Sequence, residues 1–264
     1  MVQTGPVPEI ALTAAFLLRS HPYGESDRIV TFITEKFGKV SGIAKGAKRS
    51  QRRFAGTLEP FIKVRLAFRD RPRSDLAFIE RCELLQALQQ FSSDLDRFAS
   101  GSYVLELTDR VVMGRETGRE VFDLVESALA LLESEGAHAA VLRAFELHML
   151  EAAGYRPELE RCRSCGREAI NLAAVVAVPS RGGVFCIGCR PATEVGHTVP
   201  RALLAALLDL QRRPLDQHVA GVVLAADSFA GAEATLEAFI DQVVSRPLRS
   251  RGVLAALRHP APAM

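Results

Sequence analysis

Four cysteines form the strongest chemical pattern in this sequence. They stand as two Cys-x-x-Cys pairs with twenty residues between the pairs: Cys162, Cys165, Cys186 and Cys189. Each pair can occupy one side of a tetrahedral zinc ion, and a spacer of this length can return the chain as a short hairpin. Gly166 and Gly188 permit the tight turns that such pairs need. Because four thiolates leave no open coordination position, we expect one structural zinc ion.

Other uses of these cysteines agree less well with the rest of the sequence. Two disulfides would need an oxidising compartment, but no positively charged segment of the kind that begins a signal peptide precedes the first apolar stretch, residues 11–18. A thioredoxin-like redox site has a single Cys-x-x-Cys, and a site that has lost its metal is a third alternative. Cys82, the fifth cysteine, is expected to be a small buried hydrophobic residue. We therefore expect a cytoplasmic zinc protein.

The second pattern is a run of positive charge. Seven cations fall within eighteen residues: Lys36, Lys39, Lys45, Lys48, Arg49, Arg52 and Arg53. No acid lies between Glu35 and Glu59, and residues 1–85 carry 15 Lys and Arg against 9 Asp and Glu, whereas the whole chain has a net charge of only +2. Such a surface suits the phosphates of nucleic acid, so these seven residues are predicted to bind it. The alternative is a solvated charged loop.

Residues beside this run could assist such a function. Gly42 and Gly46 could let the backbone approach a ligand closely. Phe37 and Phe54 could stack on bases, as aromatic rings do in proteins that bind single strands. We nevertheless expect both rings to pack in the hydrophobic core, which is the commoner place for phenylalanine.

Residues 1–85 have the pattern of a small β-barrel. Apolar residues alternate with more polar ones over residues 62–69, as in a strand with one buried face. Strands are predicted near residues 9–20, 27–35, 38–46, 57–69 and 75–85. Five short strands suit a barrel of the oligonucleotide/oligosaccharide-binding (OB) type, and a small SH3-like barrel is the alternative.

Residues 86–264 are predicted to form a helical domain. Apolar spacing and glycine stops predict helices near residues 94–114, 120–136, 138–154, 201–211 and 230–245. A zinc-binding segment, residues 160–192, interrupts this series and contains a strand at residues 172–178. No apolar run approaches the roughly 18 residues of a membrane span, so no membrane partner is expected. The predicted fold is multidomain α+β: a five-stranded OB barrel, then an α-helical domain with an inserted four-cysteine zinc knuckle.

Signatures of catalysis are absent from the sequence. It contains no P-loop, no Gly-x-Ser-x-Gly and no His-Glu-x-x-His. His138 and His148 are predicted to be surface or core histidines. We therefore expect a nucleic-acid-binding protein that is not an enzyme. Two alternatives are a nucleic-acid-processing enzyme with an unrecognised site, and a zinc-bearing scaffold of the transcription or translation machinery.

Three N-terminal segments resemble the RecO family of bacterial recombination mediators. They are residues 19–30 (RSHPYGESDRIV), 38–47 (GKVSGIAKGA) and 54–61 (FAGTLEPF). The cysteine pairs, with the Gly-Gly-Val-Phe turn at residues 182–185, resemble the same family, and the resemblance extends from about residue 10 to 250. It implies an OB domain that binds single- and double-stranded DNA, followed by a helical domain that carries a zinc knuckle.

The same resemblance implies a set of activities and partners. It implies annealing of complementary strands, association with RecR, and help in loading RecA onto DNA coated by single-stranded DNA-binding protein (SSB). It also implies that the acidic C-terminal tail of SSB docks on the helical domain, for which Arg201 beside Leu203 and Leu204 is one candidate position. A protein with these partners is expected to associate with the nucleoid.

Overall fold

A computed structural model describes residues 9–258 apart from residues 51, 117, 221 and 223–225. The chain divides into two units between residues 125 and 126. The first unit contains five strands and the helix that follows them, and the second contains further helices and a small sheet.

The first unit is built on a closed five-stranded barrel. Its strands are β1 Ala11–Tyr23, β2 Asp27–Thr34, β3 Gly38–Ala44, β4 Ile62–Arg71 and β5 Ser74–Ala87. They lie in the order β1-β2-β3-β5-β4, and β4 pairs with β1 to close the barrel. The pairings are antiparallel except for a short parallel pairing of β3 with β5. This order and closure confirm the predicted OB-type barrel.

Side-chain alternation along the strands fills the barrel. Val64, Leu66 and Phe68 of β4 are buried among Phe32 and Ile79, whereas the residues at 65 and 69 are less buried. Apart from Ala67, which is also buried, this alternation is the one expected of a strand with one face on a core. The alternating residues 62–69 therefore lie within β4.

Closure of the barrel depends on Gly42. It pairs with Ala77 across the parallel contact of β3 with β5. A Cβ at Gly42 would lie 2.5 Å from Cδ1 of Ile79 and 2.8 Å from the carbonyl oxygen of Ala77. The sequence suggests close approach of a ligand at Gly42, whereas in the structure the close neighbour is β5.

Helix α1 (Leu95–Val111) packs against the barrel. The ring of Phe61, which precedes β4, stacks on that of Phe91 with 4.3 Å between centroids. Gly101 of α1 lies against both rings, and a Cβ there would overlap them. The contact therefore requires glycine at this position of the helix.

The second unit combines helices with a three-stranded sheet. Its helices are α2 Arg119–Ser134, which crosses the division between the units, then α3 Ala139–Ala152, α4 Arg201–Arg212, α5 Gln217–Ala220, α6 Ala226–Ile240 and α7 Arg249–Arg258. Helix α3 is almost entirely buried and packs against α4 and α6. The sheet places β6 (Ala174–Val178) between β7 (Gly183–Phe185) and β8 (His197–Pro200). No helix in the described ranges is long and apolar enough to cross a membrane.

Several element boundaries differ from the predictions. Strand β4 begins at Ile62 and not at residue 57, because Gly56 and Phe61 both have positive φ and turn the chain. The metal segment contains β6 and β7 and leads into β8, where the sequence predicted one strand. Helix α7 was not predicted, because its apolar residues form one short run, 253–257, that shows no helical spacing.

Candidate metal centre and nucleic-acid interface

The two cysteine pairs lie together in the second unit. The Sγ atoms of Cys162, Cys165, Cys186 and Cys189 all lie within 4.8 Å of one another, and those of Cys165 and Cys186 are 3.9 Å apart. A tetrahedral ion with Zn–S bonds of about 2.3 Å needs sulfur–sulfur distances of about 3.8 Å. The donor set and its spacing therefore fit one tetrahedral metal ion, as the sequence predicts.

Backbone hydrogen bonds around β7 bring the two pairs together. The N–H of Arg163, inside the first pair, donates to the carbonyl of Val184 at 3.0 Å, and Cys186 follows β7 directly. The N–H of Val184 in turn donates to the carbonyl of Glu158 at 2.9 Å. Gly183 makes this approach possible, since a Cβ there would lie 2.6 Å from the same carbonyl oxygen. The sulfurs are thus held close by the fold of the chain itself.

Each pair is closed by a tight turn. The N–H of Gly166 donates to the carbonyl of Cys162 at 2.9 Å, and Gly166 has a φ of +71° that favours glycine. The N–H of Cys189 donates to the carbonyl of Cys186, also at 2.9 Å. These turns direct both sulfurs of each pair to one side, as metal knuckles require.

The surroundings of Cys162 favour its thiolate. Burial raises the pKa of this thiol, but the N–H groups of Cys165, Cys186 and Ser164 outweigh burial and lower the pKa to about 6. The N–H of Cys186 lies 3.3 Å from the Cys162 sulfur. Neighbouring sulfurs of Cys186 and Cys165 raise the pKa of Cys189 to about 12. One sulfur is therefore ready to bind a metal ion as a thiolate, whereas Cys189 must lose its proton on binding.

A cavity of about 570 Å³ lies beside the metal centre. It is lined by Arg163, Ser164, Ser180, Arg181, Phe185, Cys189 and Pro191. Arg181 lies 3.9 Å from Glu194, which also accepts a hydrogen bond from Ser180 at 2.6 Å. Four thiolates around a divalent ion would add two negative charges nearby. The net positive charge of this cavity is therefore smaller than its two arginines suggest, which makes it a poor site for an anion.

The loop between β3 and β4, residues 45–61, carries most of the predicted nucleic-acid-binding cations, and we call it the basic loop. Lys45, Lys48, Arg49 and Arg52 are exposed on it. Lys36 is also exposed, but it precedes β3, and a strand of seven residues spans about 20 Å. The structure thus places the exposed cations at the two ends of β3, although they form one run in the sequence.

Lys39 has a structural contact that its place in the sequence does not reveal. Its Nζ lies 2.9 Å from Oδ1 of Asp109 and donates to the carbonyl of Val112 at 3.0 Å. Both partners lie at the C-terminal end of α1, where a cation is favoured by the helix dipole. Lys39 therefore holds the barrel to α1, and only 16% of its side chain is exposed.

Arg53 and the two phenylalanines also have roles inside the fold. Arg53 donates to the carbonyl of Lys45, and its guanidinium lies over the ring of Phe54, 5.1 Å from the centroid. Phe54 is buried in the barrel core, and Phe37 packs edge-on against Phe68 with 5.3 Å between centroids. The expectation that both rings pack in the core is confirmed.

The basic loop is attached to the barrel near its start and at its middle. The N–H of Gly46 donates to Oδ1 of Asp27 at 2.8 Å, so the Gly46 backbone serves an internal contact. This hydrogen bond, with a smaller contribution from nearby lysines, lowers the pKa of Asp27. Further along, the carbonyl of Arg53 accepts from the N–H of Cys82 at 2.9 Å. Gly46 and Arg53 of the loop are therefore fixed relative to the barrel.

A second pocket, of about 480 Å³, lies at the base of the basic loop. Lys48 and Arg49 line it together with Arg28 of β2, which sequence reasoning did not select. Strand pairing explains why Arg28 lines this pocket. Arg28 pairs with Ala44 at the end of β3, beside the start of the loop. The sequence around Arg28 does not reveal this pairing, so the position of Arg28 beside the basic loop could not be predicted.

The candidate docking position for the SSB tail, Arg201 with Leu203 and Leu204, is wrong for the two leucines. Arg201 is exposed at the start of α4. Leu203 and Leu204 are only 5% and 0% exposed, because they face the interior of the second unit. They offer no apolar surface to a docking peptide.

Comparisons with known proteins identify the family. Residues 10–88 match the family described as Recombination protein O N terminal, and residues 92–252 match Recombination protein O C terminal. The chain is 39% identical over 240 residues to the DNA repair protein RecO of Anaeromyxobacter dehalogenans, covering 90% of this chain and 93% of the relative. It is 30% identical over 243 residues to that of Syntrophus aciditrophicus, covering 92% and 94%. These matches span the barrel, the metal segment and the helices, and the chain therefore belongs to the RecO family.

Proposed function

We propose that the protein is a DNA repair and recombination mediator that binds single- and double-stranded DNA through its barrel and acts without catalysis. Family membership supports the repair role. The observation that carries DNA binding is the basic loop, which has four exposed cations and no acid before Glu59. Phosphates contribute most of the affinity of such surfaces for nucleic acid.

Within the predicted set of cations, we assign two roles. The exposed residues contact phosphates directly: Lys36, Lys45, Lys48, Arg49 and Arg52. Lys39 and Arg53 hold α1 and the basic loop in position through the contacts described above. We assign DNA binding to the domain of residues 1–85, which carries these cations, and the recruitment of proteins to the domain of residues 86–264.

Annealing follows from charge neutralisation. Two complementary strands repel each other through their phosphates, and a basic surface that holds them close removes much of this repulsion without using a nucleotide. The family resemblance adds the partners: RecR as a co-mediator, RecA as the protein to be loaded, and the C-terminal tail of SSB as a ligand of the helical domain. DNA binding would place the protein on the nucleoid.

The metal ion of the proposal is one structural zinc, held by Cys162, Cys165, Cys186 and Cys189. A thiolate set of this kind suits zinc, and a closed four-sulfur site has no position for a substrate. Its contribution is to hold the segment 160–192 together between α3 and α4. We therefore expect loss of metal to unfold this segment and leave the barrel folded.

The decisive experiment compares annealing of bare strands with annealing of strands coated by intact SSB or by SSB that lacks its tail. We expect annealing of bare strands and of strands coated by intact SSB, and slower annealing when the tail is missing. Equal rates on both coated substrates would overturn recruitment through the tail. No annealing of any substrate would overturn the mediator function.

The role of the basic loop is tested separately. Replacing Lys45, Lys48 and Arg49 together by alanine should weaken DNA binding to the same extent on unrelated sequences, because phosphates carry no sequence information. The matched control exchanges lysine and arginine at the same three positions and keeps every charge. Equal affinities of the alanine variant and the control would place the DNA elsewhere.

The absence of catalysis is tested with labelled DNA in the presence and absence of nucleotide and magnesium. We expect strands of unchanged length and no nucleotide hydrolysis. Turnover that follows the protein through purification would favour the processing-enzyme alternative.

A further inference from the structure

The pocket at the base of the basic loop has the size of a ligand site. It is lined by residues 47–50, 54–56 and 58–59 of the loop and by Arg28 of β2. Its volume is about 480 Å³. Small-molecule sites occupy roughly 300–1,000 Å³, so this space can hold a fragment as large as a sugar with its phosphate.

The charge of the lining selects an anion. Arg28 is 3.2 Å from Oε1 of Glu59, so these two side chains neutralise each other. Lys48 donates to the carbonyl of Gly24 at 2.9 Å, which orients its ammonium and leaves its charge in place. Arg49 is exposed and forms no ion pair with any carboxylate that the structure describes. Two positive charges therefore remain for a phosphate, whose oxygens match the fork of an arginine.

Asp27 lies within the positive potential of the same lysines. Its carboxylate lies at the start of β2 and accepts the Gly46 N–H, which is the largest cause of its lowered pKa. The hydroxyl of Ser26 and, by smaller amounts, the charges of Lys45 and Lys48 lower this pKa further. The same field would favour the anionic form of any ligand group near the loop.

Among the residues that the structure describes, the lining of the pocket has no exposed aromatic ring on which a nucleotide base could stack. Phe54 is only 3% exposed, and the guanidinium of Arg53 lies over its ring. Of the other uncharged lining residues, Leu58 is buried and the rest are small: Ala47, Ser50, Ala55 and Gly56. Without an exposed aromatic ring the pocket lacks the platform on which proteins stack bases. Recognition is therefore limited to the phosphate and the sugar.

From this arrangement we infer that the pocket binds one sugar-phosphate unit of a DNA strand through its phosphate and independently of the base. This inference rests on the proposed DNA binding and names the part of the ligand that the basic loop holds. OB barrels commonly bind oligonucleotides on strands β2 and β3 and on the β1–β2 and β4–β5 loops. The pocket lies in the β3–β4 connection, so it is a contact in addition to that face.

Filling the pocket tests the inference without removing any charge. Ala55 is exposed and lines the pocket, so Ala55→Trp places an indole there, and Ala55→Ser is the matched control that leaves it open. The chain contains no tryptophan, so a blue-shifted emission of the variant reports that the introduced ring occupies the pocket. Arg49→Ala is a second variant that removes the free guanidinium and leaves the fold contacts in place.

The probes are inorganic phosphate, thymidine monophosphate and a thymine oligonucleotide with or without a 5′ phosphate. In the wild type and in Ala55→Ser, phosphate and the monophosphate should compete with the oligonucleotide. Ala55→Trp and Arg49→Ala should each raise the Kd of the oligonucleotide about tenfold, the effect of one lost charge-assisted contact. If only the 5′-phosphorylated strand is affected, the bound unit is a strand end; an equal effect on both strands indicates an internal phosphate.

Two results would overturn the inference while leaving the proposed function intact. One is a folded Ala55→Trp variant with blue-shifted emission that binds the oligonucleotide as tightly as Ala55→Ser. The other is unchanged affinity in Arg49→Ala together with no competition by phosphate or monophosphate. If the wild type binds no single-stranded DNA, the proposed function fails as well.

Discussion

Lys39 belongs to the basic run in the sequence, but its Nζ contacts a carboxylate of Asp109 that is only 8% exposed. Replacing Lys39 by methionine leaves that carboxylate with Arg19 as its nearest remaining cation, at 3.7 Å. A buried carboxylate that loses its closest partner costs about 2–3 kcal/mol of unfolding free energy. We expect Lys39→Met to lower stability in denaturant by this amount.

Lys36→Met is the control for that prediction. Lys36 is exposed two residues before β3, so its loss should leave stability unchanged and weaken DNA binding slightly. The prediction is contradicted if both variants have the same denaturation midpoint.

Cys162→Ser tests the metal centre. Oxygen is a poorer ligand for zinc than a thiolate, and structural zinc contributes of order 10 kcal/mol to the folding of small zinc modules. We expect the variant to lose its metal and to show a protease-sensitive segment near residues 160–192. Metal analysis of protein purified without added zinc, together with limited proteolysis, measures both.

Cys82→Ala is the matched control for the metal centre. Cys82 is buried in the barrel, where burial raises the pKa of its thiol to about 12, so it remains a neutral side chain. This variant should keep a full complement of metal. Wild-type protein that is folded and contains no metal would contradict the zinc assignment.

At the scale of elements, the basic loop depends on the carboxylate of Asp27. Folding lowers the pKa of Asp27, so its contribution to stability is complete above the ordinary value of 3.8 and is lost as the pH falls through the lower folded value. We expect hydrogen exchange of the Gly46 amide, corrected for its intrinsic pH dependence, to accelerate in that range. Asp27→Asn should show faster exchange already at neutral pH and no further acid loss. Identical protection in the two proteins would contradict this role.

The contacts of the barrel with α1 and α2 predict how fragments behave. A fragment of residues 1–85 would lack Phe91, Asp109 and Phe122, the last of which lies 5.6 Å from the ring of Phe16. We expect residues 1–134, which end with α2, to unfold cooperatively and the shorter fragment to be markedly less stable. Thermal melts of the two fragments measure this. Equal melting temperatures would show that the barrel is self-sufficient.

Elements with strong periodicity were predictable from the sequence, and those without it were not. Strand β4 alternates regularly, and α3 carries apolar residues at helical spacing, so both were predicted. Strands β7 and β8 have only three and four residues, too few for a period to appear. The metal site was predictable because its geometry is encoded in local spacing, as the distance of 3.9 Å between Cys165 and Cys186 sulfurs confirms.

At the scale of the whole molecule, exposure decides how salt affects DNA binding. The sequence offers seven clustered cations, but five of them are exposed. On single strands the logarithm of affinity falls by about 0.7 per neutralised phosphate for each decade of salt, so we expect a slope no steeper than about 3.5 from this region. Titrations at several salt concentrations measure the slope. A slope near ~5, the value for seven contacts, would contradict a limit of five phosphate contacts.

The difference between seven and five cations could not be predicted from the sequence. Asp109, the partner of Lys39, lies 70 residues away in the chain, so their contact exists only after α1 has packed on the barrel. The same holds for Arg28, which joins the pocket through strand pairing. Composition predicts the sign of a surface, whereas the fold determines which charges remain on it.

The attachment of the basic loop near its start and at its middle has a kinetic consequence. Because the Asp27–Gly46 and Arg53–Cys82 hydrogen bonds already hold the loop, it needs little conformational rearrangement when it meets DNA. Association should then proceed at the rate of electrostatically guided diffusion, and differences in affinity among variants should appear mainly as differences in residence time. Short residence on each strand would let a mediator release a mismatched pair and sample the next one.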